Sequence, residues 1–319
     1  MSEASPAVVL DRAELAWAAG FFDGEGSKIA RTLTSRPGYY QLNVTVPQAG
    51  RDGIPPVLFR FQRVMLGMGR ITGPDDNRLY MLRFAAREEV QLVLELIWPY
   101  LGDIKRAQAS RAMELVEQQY ASGSRRRRSP RRRAPEVPPI QHRTPADLER
   151  AWAAGFFDGE GCFGLFKAMK RVRGPQWYRV RASASQHGDP GIVPEVLRRL
   201  QDALGGIGRI ERHGDVDDFK WLVEGDGLVQ NVLDTIAPWL EEQKAAAGRK
   251  ALDAFRAQIR LKGDAAHCVR GHKYTYTAIR GGRIRRICNP CARPADRRKR
   301  AKQGIPPRPF KDISRRYTQ

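Results

Sequence analysis

The chain has 319 residues, with 56 lysines and arginines against 35 acidic residues and a formal net charge of +21 at pH 7. That length suffices for two ordinary domains and an appendage, and so basic a balance points to nucleic acid or another anionic surface as partner. No run of roughly 18 apolar residues argues for a membrane span, and the opening MSEASPAVVLDRAEL lacks the basic start and apolar core of an export signal. A cytoplasmic protein, bacterial or phage-encoded, is the expectation. Only four cysteines are present, and three of them cluster near the C-terminus with a histidine. In a chain without an export signal this reads as metal binding, not as a disulfide scaffold.

Along the chain, helical character covers Asp11–Phe22. Ser27–Ser35 and Tyr39–Pro47 read as strands, the second alternating Tyr40, Leu42, Val44 and Val46 against Gln41, Asn43 and Thr45. Pro56–Leu66 is helical, Gly69–Thr72 and Arg78–Phe84 form a hairpin, and Arg87–Ile97 and Asp103–Gln119 are helices broken at Pro99. The order αββαββαα then repeats. Pro145–Phe157 is helical, Phe163–Val172 and Trp177–Ser185 are strands, and Val193–Leu204 is a helix. Gly208–Arg212 and Asp218–Val223 are strands, and two helices follow around Pro238. The expected domains are 1–121, a linker 122–144, 145–263, a Cys/His module 264–296 and a basic tail 297–319. The linker holds SGSRRRRSPRRRAPEVPP, too polar to bury a core, and its cations suit phosphate contact.

The string AWAAGFFDGEG occurs twice, at Ala16–Gly26 and Ala151–Gly161. Within each copy Ala16, Ala19 and Gly20, or Ala151, Ala154 and Gly155, fall on one helix face, and small side chains there let two helices approach closely. Gly24 and Gly26 are expected to end the helix. Glu25 and Glu160 then sit at helix C-termini, where partial negative charge tolerates a divalent cation, and hard oxygen ligands suit Mg²⁺. A bland alternative is a dimer-like core with solvated carboxylates. Other landmarks recur as well: Gln48 answers Gln186, and Lys105 answers Lys244 after a Pro-aromatic-Leu turn.

These residues resemble the LAGLIDADG homing endonucleases, with AAGFFDGEG at Ala18–Gly26 and Ala153–Gly161 in place of the motif. Two motifs in one chain resemble the monomeric, pseudo-symmetric members. The resemblance spans about Asp11–Lys262. It implies an α+β fold of two αββαββα repeats whose four-stranded sheets form a saddle over the DNA major groove. It implies that Glu25 and Glu160 ligate catalytic metals, two or more in number, and that Gly24 and Gly159 offer backbone carbonyls to them. Lys105, Lys244, Gln48 and Gln186 match positions near the catalytic water. Asp23 and Asp158 match positions that structure the helix junction. The implied reaction is metal-dependent phosphodiester hydrolysis giving a double-strand break. The other reading is a non-cleaving nucleic-acid binder on the same scaffold, either an RNA maturase or a transcription regulator. An intein is not expected, since the chain begins with Met1 and ends in RRYTQ.

Two such halves suggest a target of roughly 20 base pairs. The groove-facing side chains are expected to be Tyr39, Gln41, Asn43 and Thr45 in the first half and Trp177, Arg179, Arg181 and Ser183 in the second. Gln and Asn suit adenine and Arg suits guanine, so the target is expected to be asymmetric. Arg31, Arg70, Thr72, Arg83, Lys167, Arg209 and Lys220 are further candidates. Near the C-terminus Cys268, His272, Cys288 and Cys291 have the spacing C-x3-H-x15-C-x2-C, and three thiolates with one imidazole suit tetrahedral Zn²⁺. Cys162, beside the second motif, is expected to be a buried small residue.

Overall fold

A computed structural model describes residues 9–26, 29–33, 36–123, 135–167, 178–213, 217–263, 272, 276–280, 283–291, 298, 301 and 303; side chains are described except at 30–38, 258–263 and 276–286. Trp177, Cys268, linker residues 124–134 and most of the basic tail lie outside the described residues, as does the Arg31 side chain. The chain divides into two compact units, Met1–Phe255 and Arg256–Gln319.

The larger unit contains both repeats. Its elements are β1 (Leu10–Asp11), α1 (Arg12–Glu25), β2 (Ala30–Leu33), β3 (Arg36–Leu42), β4 (Val44–Ala49), α2 (Pro56–Val64), β5 (Arg70–Thr72), β6 (Leu79–Phe84), α3 (Arg87–Ile97) and α4 (Asp103–Ala121). A 3-10 turn at Trp98–Tyr100 separates α3 from α4, as Pro99 requires. Then come β7 (Ile140–Gln141), α5 (Pro145–Glu160), β8 (Gly161–Lys167), β9 (Tyr178–His187), α6 (Glu195–Ala203), β10 (Arg209–His213), β11 (Asp218–Glu224), α7 (Asp226–Ile236) and the part of α8 (Glu242–Gly263) up to Phe255. No helix among the described residues is long and apolar enough to cross a membrane.

The helices α1 and α5 form the centre of the unit. Both are buried over most of their length, and at the point of closest approach each presents a glycine. A Cβ at Gly20 would lie 1.9 Å from the Trp152 carbonyl oxygen, and one at Gly155 would lie 1.8 Å from that of Trp17. No larger residue fits either position, so the two backbones cross in direct contact. The helix starts are capped differently. The Asp11 carboxylate accepts from Ala13 N at 2.8 Å, and the Thr144 hydroxyl accepts from Asp147 N at 3.2 Å.

Three expectations need correction. The helices do not end at Gly24. They run through Glu25 and Glu160, and the capping Gly26 and Gly161 are extended, not left-handed. Glycine is needed there because a Cβ at Gly26 would meet the Phe22 ring and carbonyl at 2.4 Å, and one at Gly161 would meet Phe157 equally closely. Only the second half has a single four-stranded sheet, in the order β10-β11-β9-β8; in the first half the strands divide into β2-β3 and β4-β6-β5. The break falls at Asn43, and the register of β2 on β3 shifts at Thr32/Leu33. Finally, the end of the expected linker is ordered. Ile140–Gln141 pairs in parallel with Leu10–Asp11, and Arg143 forms an ion pair with Asp11 at 2.6 Å.

In the smaller unit β12 (Tyr276–Arg280) and β13 (Arg283–Ile287) form an antiparallel hairpin, with Cys288 directly after it.

Candidate active site and nucleic-acid face

The crossing of α1 and α5 seats each motif glutamate against the other helix. Glu160 Cγ lies 3.1 Å from where a Gly24 Cβ would stand, and Glu25 Cγ lies 2.8 Å from that of Gly159. Gly24 and Gly159 therefore leave room for the opposite carboxylate. Burial raises the Glu25 carboxyl above its ordinary value, against a hydrogen bond from Gln48 and the charge of Lys244. Glu160 is pushed up to about 7, first by burial and then by Glu25, with Lys244 and Lys105 opposing. Two carboxylates sharing a desolvated site in this way are stabilised by a cation.

Lys105 and Lys244 stand at the first turns of α4 and α8. Lys105 Nζ donates to the Gly26 carbonyl at 2.5 Å, and Lys244 Nζ donates to the Gly161 carbonyl at 2.7 Å. Each thereby satisfies a carbonyl just past the motif helix. Burial lowers both amines, against Asp23 and then Glu160 at Lys105, and against Asp158, Cys162, Glu25 and Glu160 in that order at Lys244. The two glutamines differ. Gln48 bonds Glu25, whereas Gln186 Oε1 is buried without a partner among the described residues.

The motif aspartates tie the two halves together. Asp23 Oδ2 accepts from the Trp152 indole at 2.8 Å and from Gly102 N, ahead of α4, at 2.9 Å. Asp158 Oδ2 accepts from the Trp17 indole at 2.8 Å and from Glu241 N, ahead of α8, at 3.0 Å. Burial pushes each carboxyl up to about 6 despite these donors.

Sequence reasoning missed the arginines that complete this arrangement. Arg60 grips Glu14 through Nε and a terminal nitrogen, donates to the Trp239 carbonyl at 2.7 Å and stacks 3.9 Å from the Trp17 ring centre. Arg199 does the same with Glu149, the Tyr100 carbonyl and Trp152 at 4.1 Å. The signal available in the sequence was Glu-x-x-Trp at Glu14–Trp17 and again at Glu149–Trp152.

Strand registry sorts the candidate groove residues. In the first half Tyr39, Gln41, Asn43 and Thr45 alternate with buried Leu42, Val44 and Val46. Thr45 pairs with Arg83, which pairs with Arg70, and Thr72 pairs with Met81 on the same face. In the second half Arg179, Arg181 and Ser183 alternate with buried Val180, Ala182 and Ala184. Lys220 pairs with Ser185 and Glu224 with Arg181, so both share their face, and Arg209, opposite Leu222, joins them.

Some of these placements contradict the sequence reading. Thr45 and Ser183 are buried, at 8% and 4% exposure. Alternation gives their face correctly, but a short side chain mid-sheet sinks between longer neighbours, as Ser183 does between Cys162 and Leu222. Lys167 lies opposite Tyr178, on the Phe163 side of β8, and does not share the arginine face. Cys162 is exposed, not buried, and its thiolate would raise Lys244 by its charge.

In the smaller unit one ligand atom each from His272, Cys288 and Cys291 lies within 4.8 Å of the others. The separation from His272 Nδ1 to Cys291 Sγ is 3.3 Å. A tetrahedral zinc ion with ordinary bond lengths sets such donors about 3.6 Å apart.

No protein-family model matches the chain, and no curated protein matches it. Solved structures do. The LAGLIDADG meganuclease I-AabMI, bound to uncleaved DNA, superposes with a TM-score of 0.56 at 16% identity, over 77% of this chain and 91% of that one. The chain has the LAGLIDADG fold. A second such structure, I-SmaMI bound to an uncleaved DNA target with calcium ions, gives a TM-score of 0.52 at 17% identity over 80% and 94% of the two chains. I-SmaMI on DNA with a TTGT central four gives 0.54 at 16% over 82% and 94%. In this chain the paired motif helices bring Glu25 and Glu160 to one junction.

Proposed function

We propose that this protein is a site-specific DNA endonuclease that makes a double-strand break in a long, asymmetric duplex target by metal-dependent phosphodiester hydrolysis. The observation that carries the reading is the crosswise seating of Glu25 and Glu160 over Gly159 and Gly24. A junction of two structural halves suits two antiparallel strands. The solved structures of the same fold, I-AabMI and I-SmaMI, are bound to DNA.

Glu25 and Glu160, with the Gly24 and Gly159 carbonyls, would hold Mg²⁺. Their mutual burial and the raised Glu160 carboxyl fit that role. When bound, such ions activate water and relieve charge on a phosphodiester. Lys105 and Lys244 hold the C-terminal carbonyls of the motif helices and bring positive charge toward the carboxylates, which suits stabilising charge that develops on the phosphate. Gln48 orients Glu25. Asp23, Asp158, Arg60 and Arg199 fix the crossing geometry, on which the placement of both carboxylates depends. The exposed sheet faces would read bases, and the linker arginines would add phosphate contacts.

The second metal is structural. His272, Cys288 and Cys291 converge, and Cys268 would be the fourth ligand of a zinc module at the end of the β12–β13 hairpin.

A plasmid carrying the uninterrupted sequence into which this gene is inserted tests the function. Cleavage to linear product with Mg²⁺, and none with EDTA, is the expected result. Tight binding with no cleavage at any Mg²⁺ concentration would instead make the protein a binder on a nuclease scaffold.

A further inference from the structure

Among the described acids on the arginine face of the second half, Glu211 pairs with Arg209 and Asp218 lies against His187, whereas Glu224 pairs with two arginines. Glu224, at the end of β11, accepts from Arg181 Nε at 3.0 Å and from an Arg181 terminal nitrogen through Oε1, and from Arg179 NH1 at 3.1 Å through Oε2. Its side chain is 16% exposed, and that of Arg181 is 25% exposed. Arg181 also lies over the Phe166 ring, 4.6 Å from its centre. Arg179 is 62% exposed and uses only NH1 in the pair, which leaves its Nε and NH2 without a partner among the described residues. A guanidinium with two such donors can grip guanine O6 and N7 together.

A single exposed ion pair has little worth. This one is different in kind. One carboxylate occupies both oxygens with two guanidinium groups, and an aromatic ring backs one of them. The effect is to remove rotamer freedom from two long side chains before any ligand arrives. It also cancels one of two positive charges, and so weakens the sequence-blind pull of phosphates at this spot. No equivalent exists on the other half, where among the described residues no carboxylate pairs with Arg70 or Arg83.

We propose that Glu224 is a specificity-determining positioning residue: it holds Arg179 and Arg181 as a fixed guanine reader in the half-site bound by the second repeat. This rests on the DNA-binding reading above. Without Glu224 the two cations are free to follow phosphates, and base preference is exchanged for general affinity.

The test is selection of full-length protein on randomised 30-base-pair duplexes with Ca²⁺, alongside salt titration of binding to one unrelated duplex. Glu224→Gln keeps the size and most of the hydrogen bonding. It is expected to reduce preference for guanine at one or two adjacent positions by about tenfold, to tighten unrelated-duplex binding, and to steepen its salt slope by about one. Base preference elsewhere should not move, which a general loss of folding would not reproduce. Arg179→Ala is expected to remove the same preference. If Arg179→Ala removes it and Glu224→Gln changes neither preference nor slope, the positioning role is wrong while the DNA face stands. If Arg179→Ala and Arg181→Ala both leave binding and preference unchanged, the face does not contact DNA and the positioning role falls with it.

Discussion

The two halves of the larger unit are near copies where they meet and differ where they face outward. At the junction the Asp, Trp, Arg and Lys contacts correspond, while Gln48 bonds Glu25 and Gln186 Oε1 has no partner among the described residues. Each Asp takes the other half's Trp indole, each Arg stacks on its own half's Trp while bonding a carbonyl of the other half, and each Lys holds the carbonyl after its motif. On the sheets the correspondence ends. The first half breaks at Asn43 and presents Tyr39, Gln41 and Asn43 beside paired Arg70 and Arg83. The second is continuous along β9 and presents arginines clamped by Glu224. The difference teaches that two constraints act on one fold. Under the proposed function, hydrolysis of two chemically identical strands would call for equal machinery, whereas reading a non-repeating sequence would reward unequal faces.

The first way to break the comparison is at the helix crossing. Gly20→Ala and Gly155→Ala each drive a Cβ into a backbone oxygen less than 2 Å away. Each should cost about 3 kcal/mol or more in denaturant unfolding, since neither helix has a side chain that can yield. A mild cost at either position would mean that the helices do not cross in backbone contact.

Next are Arg60→Met and Arg199→Met. Each removes a carboxylate pair, an indole stack and a cross-half hydrogen bond, and each is expected to cost about 2 kcal/mol. The prediction is the equality: unfolding costs differing by more than about 1 kcal/mol would break the junction's symmetry.

Much of the junction was legible in the sequence because helix periodicity is local. The repeated Ala and Gly positions put the two helices face to face, and the repeated Glu and Lys, with Gln48, lie where the two carboxylates meet. The Asp–Trp bonds were not legible, because each joins one repeat to the other and only the crossing angle decides which indole a carboxylate meets. Arg60 and Arg199 lie on helices whose orientation the pattern leaves free. On the sheets, alternation identified the face of Thr45 and Ser183 but not their depth, which neighbouring strands set. Cys162 was misread for the same reason. Its face follows from pairing with Ser183, which no local pattern contains.

A smaller effect separates the two carboxylates by pH. The Glu160 carboxyl sits near 7 in the folded state against an ordinary 4.5, chiefly through burial. A raised folded value means the folded protein holds a proton the unfolded chain has lost. This stabilisation is present below about pH 4.5 and fades as pH rises toward 7. Relative to the parent protein in EDTA, Glu160→Gln should therefore gain stability as pH rises through that window, and Mg²⁺ should cancel the gain by stabilising the parent. Glu25→Gln should show the same direction with smaller amplitude, because Gln48 bonds the charged form. Equal thermal-unfolding curves for parent and Glu160→Gln across the window would contradict the shared, desolvated site.

The smallest expected change is on the first half's sheet. Gln41→Ala should alter base preference on that side of the target by about threefold to tenfold while leaving the salt slope of binding unchanged, because a neutral amide reads bases without releasing counterions. A changed salt slope would blur the contrast between the two faces.

The most direct test of a shared carboxylate pair is to compare Glu25→Gln and Glu160→Gln with the parent protein on one cognate duplex. Binding would be measured with Ca²⁺ and cutting with Mg²⁺. Each variant is predicted to bind within about threefold of the parent while double-strand cleavage falls by about 100-fold or more. Double-strand cleavage at the parental rate by either variant would contradict the assignment of Glu25 and Glu160 as the working pair.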